Sequence, residues 1–325
     1  MNLPNTPKPK LLAITCRGNH IENIHYGWIC AYDIKKGIIL KKGNINDYTY
    51  LRSTAKPIQA IPLVKKERNI TLKELAVICG SHSGSKHHIS ILKKLLRKYK
   101  IKEKELLCGT HPPLDQKSNY ELMRKNKKPT VLYNNCSGKH IGMLITCKKA
   151  GWKTKDYINP KHKLQQEIIS YIKHLSGTKK INLATDGCSA PTFNMKIIDI
   201  AKLFTNFNTT EDPAFKKIIK AMTTYPFLSG GNGYIDTAIM KASRGKILAK
   251  VGAAGLIIAT SNGKALVVKV ADGSGHIRTL VTISLLKKLK WLSKKELESK
   301  ELKTLTSLTI KNHRKLKVGK IKILS

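Results

Sequence analysis

Strand-like segments stand at both ends of the chain with helical segments between them, and this order restricts the fold most. Near the N-terminus, Lys10–Arg17 and Tyr26–Tyr32 alternate or run apolar, and Gly37 interrupts a continuation to Leu40. Toward the other end, Lys246–Val251, Gly255–Thr260 and Leu266–Val270 repeat the pattern, punctuated by Gly252, Gly263 and Gly273. Apolar spacing predicts helices from about Ser53, over Ile89–Tyr99, Ile141–Lys149, Lys163–Leu175, Met195–Phe204 and Pro213–Thr223, and from about Ile277 to Leu289. Leu72–Cys79 reads as a short strand-like run ending in the loop Gly80–Gly84. The expectation is an α/β fold in which strands from both termini form one sheet beside a mainly helical middle.

With 41% hydrophobic and 25% charged residues, the chain has an ordinary globular composition, which excludes a disordered basic tail. No apolar run approaches the ~18 residues of a membrane span, and Leu11–Cys16 is too short for a signal-peptide core. A cytoplasmic protein is therefore expected. The formal charge of +41 would ordinarily suggest a polyanionic partner. Its texture points elsewhere. Only eight of the 61 basic residues are Arg (17, 52, 68, 97, 124, 244, 278 and 314), and the Lys residues are dispersed over the whole length. Arg is the residue that grips phosphates and reads base edges, whereas Lys is a generic solvated charge. A surface drifted toward lysine is the expectation, with nucleic-acid binding as the alternative from another functional class.

Three weak patterns occur in order. Ser53-Thr54-Ala55-Lys56 is an S-x-x-K, which on a starting helix puts hydroxyl and amine on one face. A lysine of lowered pKa can take the proton from such a serine, although an N-cap serine followed by a solvated lysine has the same spelling. Ser81-His82-Ser83 lies in a glycine-flanked loop, and Lys250-Val251-Gly252 follows a strand. Together they echo the S-x-x-K, S-D-N and K-T-G set of serine β-lactamases and penicillin-binding proteins.

Seven cysteines without a C-x-x-C argue for small buried thiols, not a disulfide scaffold. Two of them occupy distinctive loops. Asn134-Asn135-Cys136-Ser137-Gly138-Lys139-His140 opens a helix whose free N–H groups lower a thiol's pKa. Thr185-Asp186-Gly187-Cys188 is a tight turn after a strand-like run. Cys136 and Cys188 are either two structural thiols or, brought together, ligands for Zn²⁺, with His140 as a neighbour of ligand type.

These stretches, with Arg52-Ser53-Thr54-Ala55-Lys56-Pro57-Ile58-Gln59-Ala60, Ser81–Gly84, Ser243-Arg244-Gly245-Lys246, Asp272-Gly273 and Val318-Gly319, resemble the L-asparaginase II family, the Rhizobium-type asparaginases. The resemblance covers essentially the whole chain. It implies one catalytic unit, 1–325, with a fold like that of serine β-lactamases and penicillin-binding proteins, whose helical part spans about 90–240. It further implies a homodimeric amidohydrolase that turns L-asparagine into L-aspartate and ammonia. The family's Ser–Lys pairs fall on Ser53–Lys56 and Ser81–Lys250, and its zinc site on Cys136, Lys139 and Cys188. Asp186 lines the pocket, and Arg52 is placed to meet the substrate carboxylate. Ala254 stands where the family has Glu, and the stretch between Cys188 and Lys250 is shorter than the family's. A glutaminase or another cytosolic amidohydrolase is the alternative, since one methylene separates the two amides.

Overall fold

The computed structural model describes residues 6–324. Among them are eleven strands: β1 (Lys10–Arg17), β2 (His20–Asp33), β3 (Gly37–Lys42), β4 (Tyr48–Tyr50), β5 (Asn182–Thr185), β6 (Pro191–Lys196), β7 (Leu248–Val251), β8 (Leu256–Ser261), β9 (Lys264–Val270), β10 (Thr309–Lys311) and β11 (Lys317–Ile323). The chain divides into two compact units. One comprises Met1–Thr54, Met195–Thr209 and Ala238–Ser325; the other comprises Ala55–Asn194 and Thr210–Thr237.

The first unit is built on an antiparallel sheet in the order β10-β11-β1-β2-β9-β8-β7, with β3 also paired to β2. The termini meet in it, as the strand-like ends predict: β1 runs beside β11 from Ala13↔Ile323 to Arg17↔Gly319. The reading Tyr26–Tyr32 captures only the second half of β2, because its first half, His20–His25, is polar or exposed on both faces. Strand β8 is buried at five consecutive positions, Leu256–Thr260. Such a strand needs cover on both faces. The helices Ile197–Thr209 and Gly275–Lys288 both pack on β8 and β9 and supply it.

The second unit is helical apart from the β5–β6 hairpin, which pairs Asn182↔Asn194 through Thr185↔Pro191. At its centre lies Leu72–Cys79, which is an α-helix and not the strand-like run the sequence suggests. Its five last residues are all buried, so no apolar periodicity separates helix from strand. The deciding feature is a capping box: Thr71 Oγ1 accepts the Glu74 N–H and the Glu74 carboxylate accepts the Thr71 N–H. Around it pack the helices Lys86–Lys98, Ser137–Lys149, Pro213–Thr224 and Pro226–Ser229. The helix Ser137–Lys149 comes so close that a Cβ on Gly138 would stand 2.7 Å from the Val77 carbonyl oxygen. That contact explains the glycine in the Cys136–His140 stretch. No helix among the described residues is long and apolar enough to cross a membrane.

Candidate active site

Residues Arg52–Ala55 form a 3₁₀ turn that continues into the α-helical turn Lys56–Gln59, so Ser53 and Lys56 keep the three-residue spacing of one helical run. Arg52 enters the turn at φ 47°, a left-handed conformation that costs a non-glycine residue on the order of 1–3 kcal/mol. Strain stored beside a candidate nucleophile fits a residue whose placement matters more than its stability. Ser53 itself is half-buried.

Lys56 is 1% exposed. Burying an ammonium or amine without partners costs several kcal/mol, and this one has them. Its Nζ donates to Ser81 Oγ at 2.9 Å and to the Asn135 carbonyl at 3.0 Å. It is hydrogen-bonded to the Cys136 thiol group as well. The lysine of the first expected pair thus holds the serine of the second. Ser81 sits just after the buried Leu72–Cys79 helix, in a loop fixed by its own N–H donating to the Ser229 carbonyl at 2.8 Å.

Lys250 lies on β7 in the first unit, fully buried, with Nζ donating to the Val251 carbonyl at 3.1 Å. In the same unit, a Cβ on Gly252 would stand 3.2 Å from both the Leu51 carbonyl and Thr54 Cγ2. Glycine lets the strand end beyond Lys250 run this close to the segment that carries Arg52 and Ser53 without displacing either neighbour. Arg278 Nη1 reaches the Gly252 carbonyl at 3.5 Å. The motif reading does not single out Arg278, yet its signal is in the composition. Of the eight arginines in a lysine-drifted chain, only Arg52 and Arg278 are not exposed. Ala254, in the turn that follows, takes φ 57°.

Cys136 precedes the Ser137–Lys149 helix, where Asn134 organises the backbone. The Asn134 side chain accepts the Cys136 N–H at 2.8 Å and donates to the Cys108 carbonyl at 2.8 Å. Asn135, which the motif reading quotes without giving it a role, contributes through its carbonyl, and its side-chain Oδ1 lies 3.3 Å from Cys136 Sγ. One helical turn on, Lys139 Nζ donates to Cys188 Sγ at 3.0 Å. Cys188 arrives from the β5–β6 turn, which is closed by the Asp186 N–H donating to the Ala190 carbonyl at 2.9 Å and by Ser189 at φ 67°. Asp186 Oδ2 lies 3.8 Å from Cys188 Sγ.

The two sulfurs are hydrogen-bonded to each other and shift in opposite directions. Cys136 is held well below the ordinary thiol range by the hydrogen bond from Cys188, against its own burial, and by the nearby Lys56 and Lys139. Cys188 is pushed up by the same bond and by burial. Burial pulls Lys139 down, but the two sulfurs outweigh it and raise its pKa. The other thiols behave as packing groups: burial pushes Cys30, Cys108 and Cys147 up to about 12.

Two sulfurs, with the Lys139 nitrogen 3.0 Å from one of them, would suit zinc once the thiols and the ammonium give up their protons. Among the described residues no cluster of three or more His, Cys, Asp or Glu side chains is disposed to hold a metal, and the expected set contains only two such residues beside its lysine. His140 packs in the core instead: its Nδ1 accepts the Tyr157 hydroxyl at 2.7 Å, and Tyr157 in turn accepts the Leu107 N–H at 2.9 Å.

A family model for L-asparaginase II matches residues 13–323. The chain belongs to the L-asparaginase II family. It is accordingly an amidohydrolase of the L-asparaginase type. Among solved structures the chain is similar to a β-lactamase from Mycobacterium bovis, at 14% identity and a TM-score of 0.43, over 81% of this chain and 94% of that one. It is also similar to Mglu in its native form, at 11% identity and a TM-score of 0.46, over 81% of this chain and 64% of the other. No curated protein sequence matches it significantly.

Proposed function

We propose that this L-asparaginase II family member hydrolyses L-asparagine to L-aspartate and ammonia through an acyl-enzyme on Ser53. The observation that carries the reading is the buried Lys56 amine, 2.9 Å from Ser81 Oγ and three residues from Ser53 on one helical run. In the first step Ser53 Oγ bonds to the side-chain amide carbon while its proton passes to the neutral Lys56 amine. Backbone N–H groups of the turn starting at Arg52 stabilise the oxyanion. The C–N bond then breaks, and the leaving nitrogen takes a proton relayed by Ser81 with Lys250, departing as ammonia. Water adds to the aspartyl ester, Ser53 recovers its proton, and aspartate leaves. Arg52 binds the substrate carboxylate and Asp186 lines the pocket.

Cys136, Lys139 and Cys188 would hold Zn²⁺. Bound there, the cation neutralises thiolate charge, which favours the neutral amine on the nearby lysines. The homodimer implied by the sequence resemblance and the cytoplasmic location expected from the lengths of the apolar runs complete the proposal; sedimentation and cell fractionation test them.

Ammonia release measured with asparagine and glutamine side by side tests the substrate, because one methylene is worth only ~1–3 kcal/mol of discrimination. Ser53→Ala should lower asparagine turnover at least ~100-fold while the circular dichroism spectrum stays unchanged. Retained turnover in that variant sinks the assignment of the nucleophile, and glutamine preferred over asparagine replaces the substrate.

A further inference from the structure

His82 stands in the middle of the Ser81-His82-Ser83 stretch, and the reaction above gives it no part. It is completely buried. Both ring nitrogens are nevertheless bonded. The Gly84 N–H donates to Nδ1 at 3.2 Å, so the ring proton sits on Nε2, which donates to Ser137 Oγ at 2.9 Å. Ser137 passes its own proton to the Leu132 carbonyl at 2.9 Å. The ring also stacks on His88 at 5.4 Å between centroids, and His88 stacks on Phe227 at 5.0 Å. Burial and the neighbouring His88, Lys56 and His111 keep the imidazole neutral, which this donor–acceptor pattern requires.

The connectivity gives the arrangement its meaning. Ser81 and His82 are chain neighbours, and so are Asn135, Cys136 and Ser137. Lys56 ties the first segment to the second through Ser81 Oγ and the Asn135 carbonyl, and His82 ties the same two segments through Ser137 Oγ. Two crosslinks between two short segments fix both position and orientation, whereas one would leave a hinge. We propose that His82 is a positioning residue that locks the Ser81 loop onto the start of the Ser137–Lys149 helix, so that Ser81 and Cys136 are presented together to Lys56. The proposal deepens the Ser–Lys reading and rests on it: the serine chemistry and the zinc ligands are held in register by one neutral imidazole.

The test exploits shape. The amide nitrogen of Gln overlays Nε2 of His, so His82→Gln keeps the donor to Ser137; the shorter side chain of His82→Asn cannot reach it, and His82→Ala removes it. Two quantities are measured on each full-length variant: steady-state ammonia release from asparagine, and zinc affinity by competition with a chromophoric chelator. His82→Gln should stay within about threefold of wild type in both. His82→Ala and His82→Asn should lose ~10–100-fold in kcat with KM little changed, and weaken zinc by a similar factor, the usual effect of removing an outer hydrogen bond from a metal site. Ser137→Ala removes the acceptor from the other side and should reproduce the loss, and the double variant with His82→Ala should lose no more than either single one. A role limited to general stability would lower the melting temperature of His82→Gln along with the others and leave the kcat of the folded fraction intact. That result overturns the proposal, as does wild-type zinc affinity in folded His82→Ala. Wild-type protein that binds zinc but releases no ammonia defeats the Ser–Lys reading while the zinc series still decides His82. Wild-type protein that does neither overturns both.

Discussion

At the residue scale, the proposed chemistry of the site is concentrated on Lys56. Three acceptors surround its Nζ: Ser81 Oγ, the Asn135 carbonyl and the Cys136 sulfur. Replacing it with the apolar Lys56→Met removes the proposed base without leaving a buried charge behind, so the fold should survive. Turnover should fall by ~10²–10⁴, the usual worth of a positioned acid–base group, as read from kcat for ammonia release. Activity within tenfold of wild type would place the base elsewhere. Much of this was legible in the sequence, because Ser53, Lys56, Ser81, Cys136, Lys139 and Cys188 stand in short motifs. What was not legible is how they combine. That Lys56 bonds Ser81 depends on two segments meeting, and that it also bonds Asn135 depends on a carbonyl every residue possesses. Arg278 was hidden for a different reason: nothing local distinguishes it, and only burial sets it and Arg52 apart from the six exposed arginines.

At the scale of elements, the misread segment is instructive. The last five residues of Leu72–Cys79 are all buried because the helix is the centre of a helical unit, and an apolar run of five residues carries no period to read. Its T-x-x-E cap was the available signal. The helix Lys86–Lys98 provides an element-scale prediction. Ser85 caps it, and His88 in its first turn is fully buried, accepting the Ser85 hydroxyl at 2.7 Å and donating Nε2–H to the Phe227 carbonyl at 3.1 Å. Burial depresses this histidine from 6.5 to about 4. The unfolded chain therefore binds the proton first as the solution is acidified. Stability contributed by the neutral ring is whole above about pH 6.5 and is lost as pH falls toward 4, in total about 3 kcal/mol by the linkage relation. Urea midpoints measured across this window should decline in wild type and flatten in His88→Gln. Parallel slopes for the two proteins would contradict the assignment.

For the whole molecule, the +41 charge and the terminal strands are the two features the sequence displays most openly. The strands fold as their pattern suggests, with β11 against β1, because alternating and apolar runs near both ends leave few other partners for a sheet of this length. The boundaries within it were less visible, since the exposed first half of β2 obeys pairing and not burial. The charge is a surface of dispersed lysines with 20 acidic residues to offset 61 basic ones, so like-charge repulsion should outweigh its ion pairs. Raising salt from about 0.01 M to about 1 M shortens the screening length from about 30 Å to about 3 Å. The melting temperature should rise over this range, and a fall would mean that attractive surface pairs dominate.

The Ser–Lys assignment meets its most direct test in the covalent intermediate. Protein quenched with acid during asparagine turnover, digested and analysed by mass spectrometry should carry an aspartyl ester on the peptide containing Ser53. The same peptide should be unmodified in Ser53→Ala. An ester on Ser81, or full turnover with no ester at all, would contradict the account.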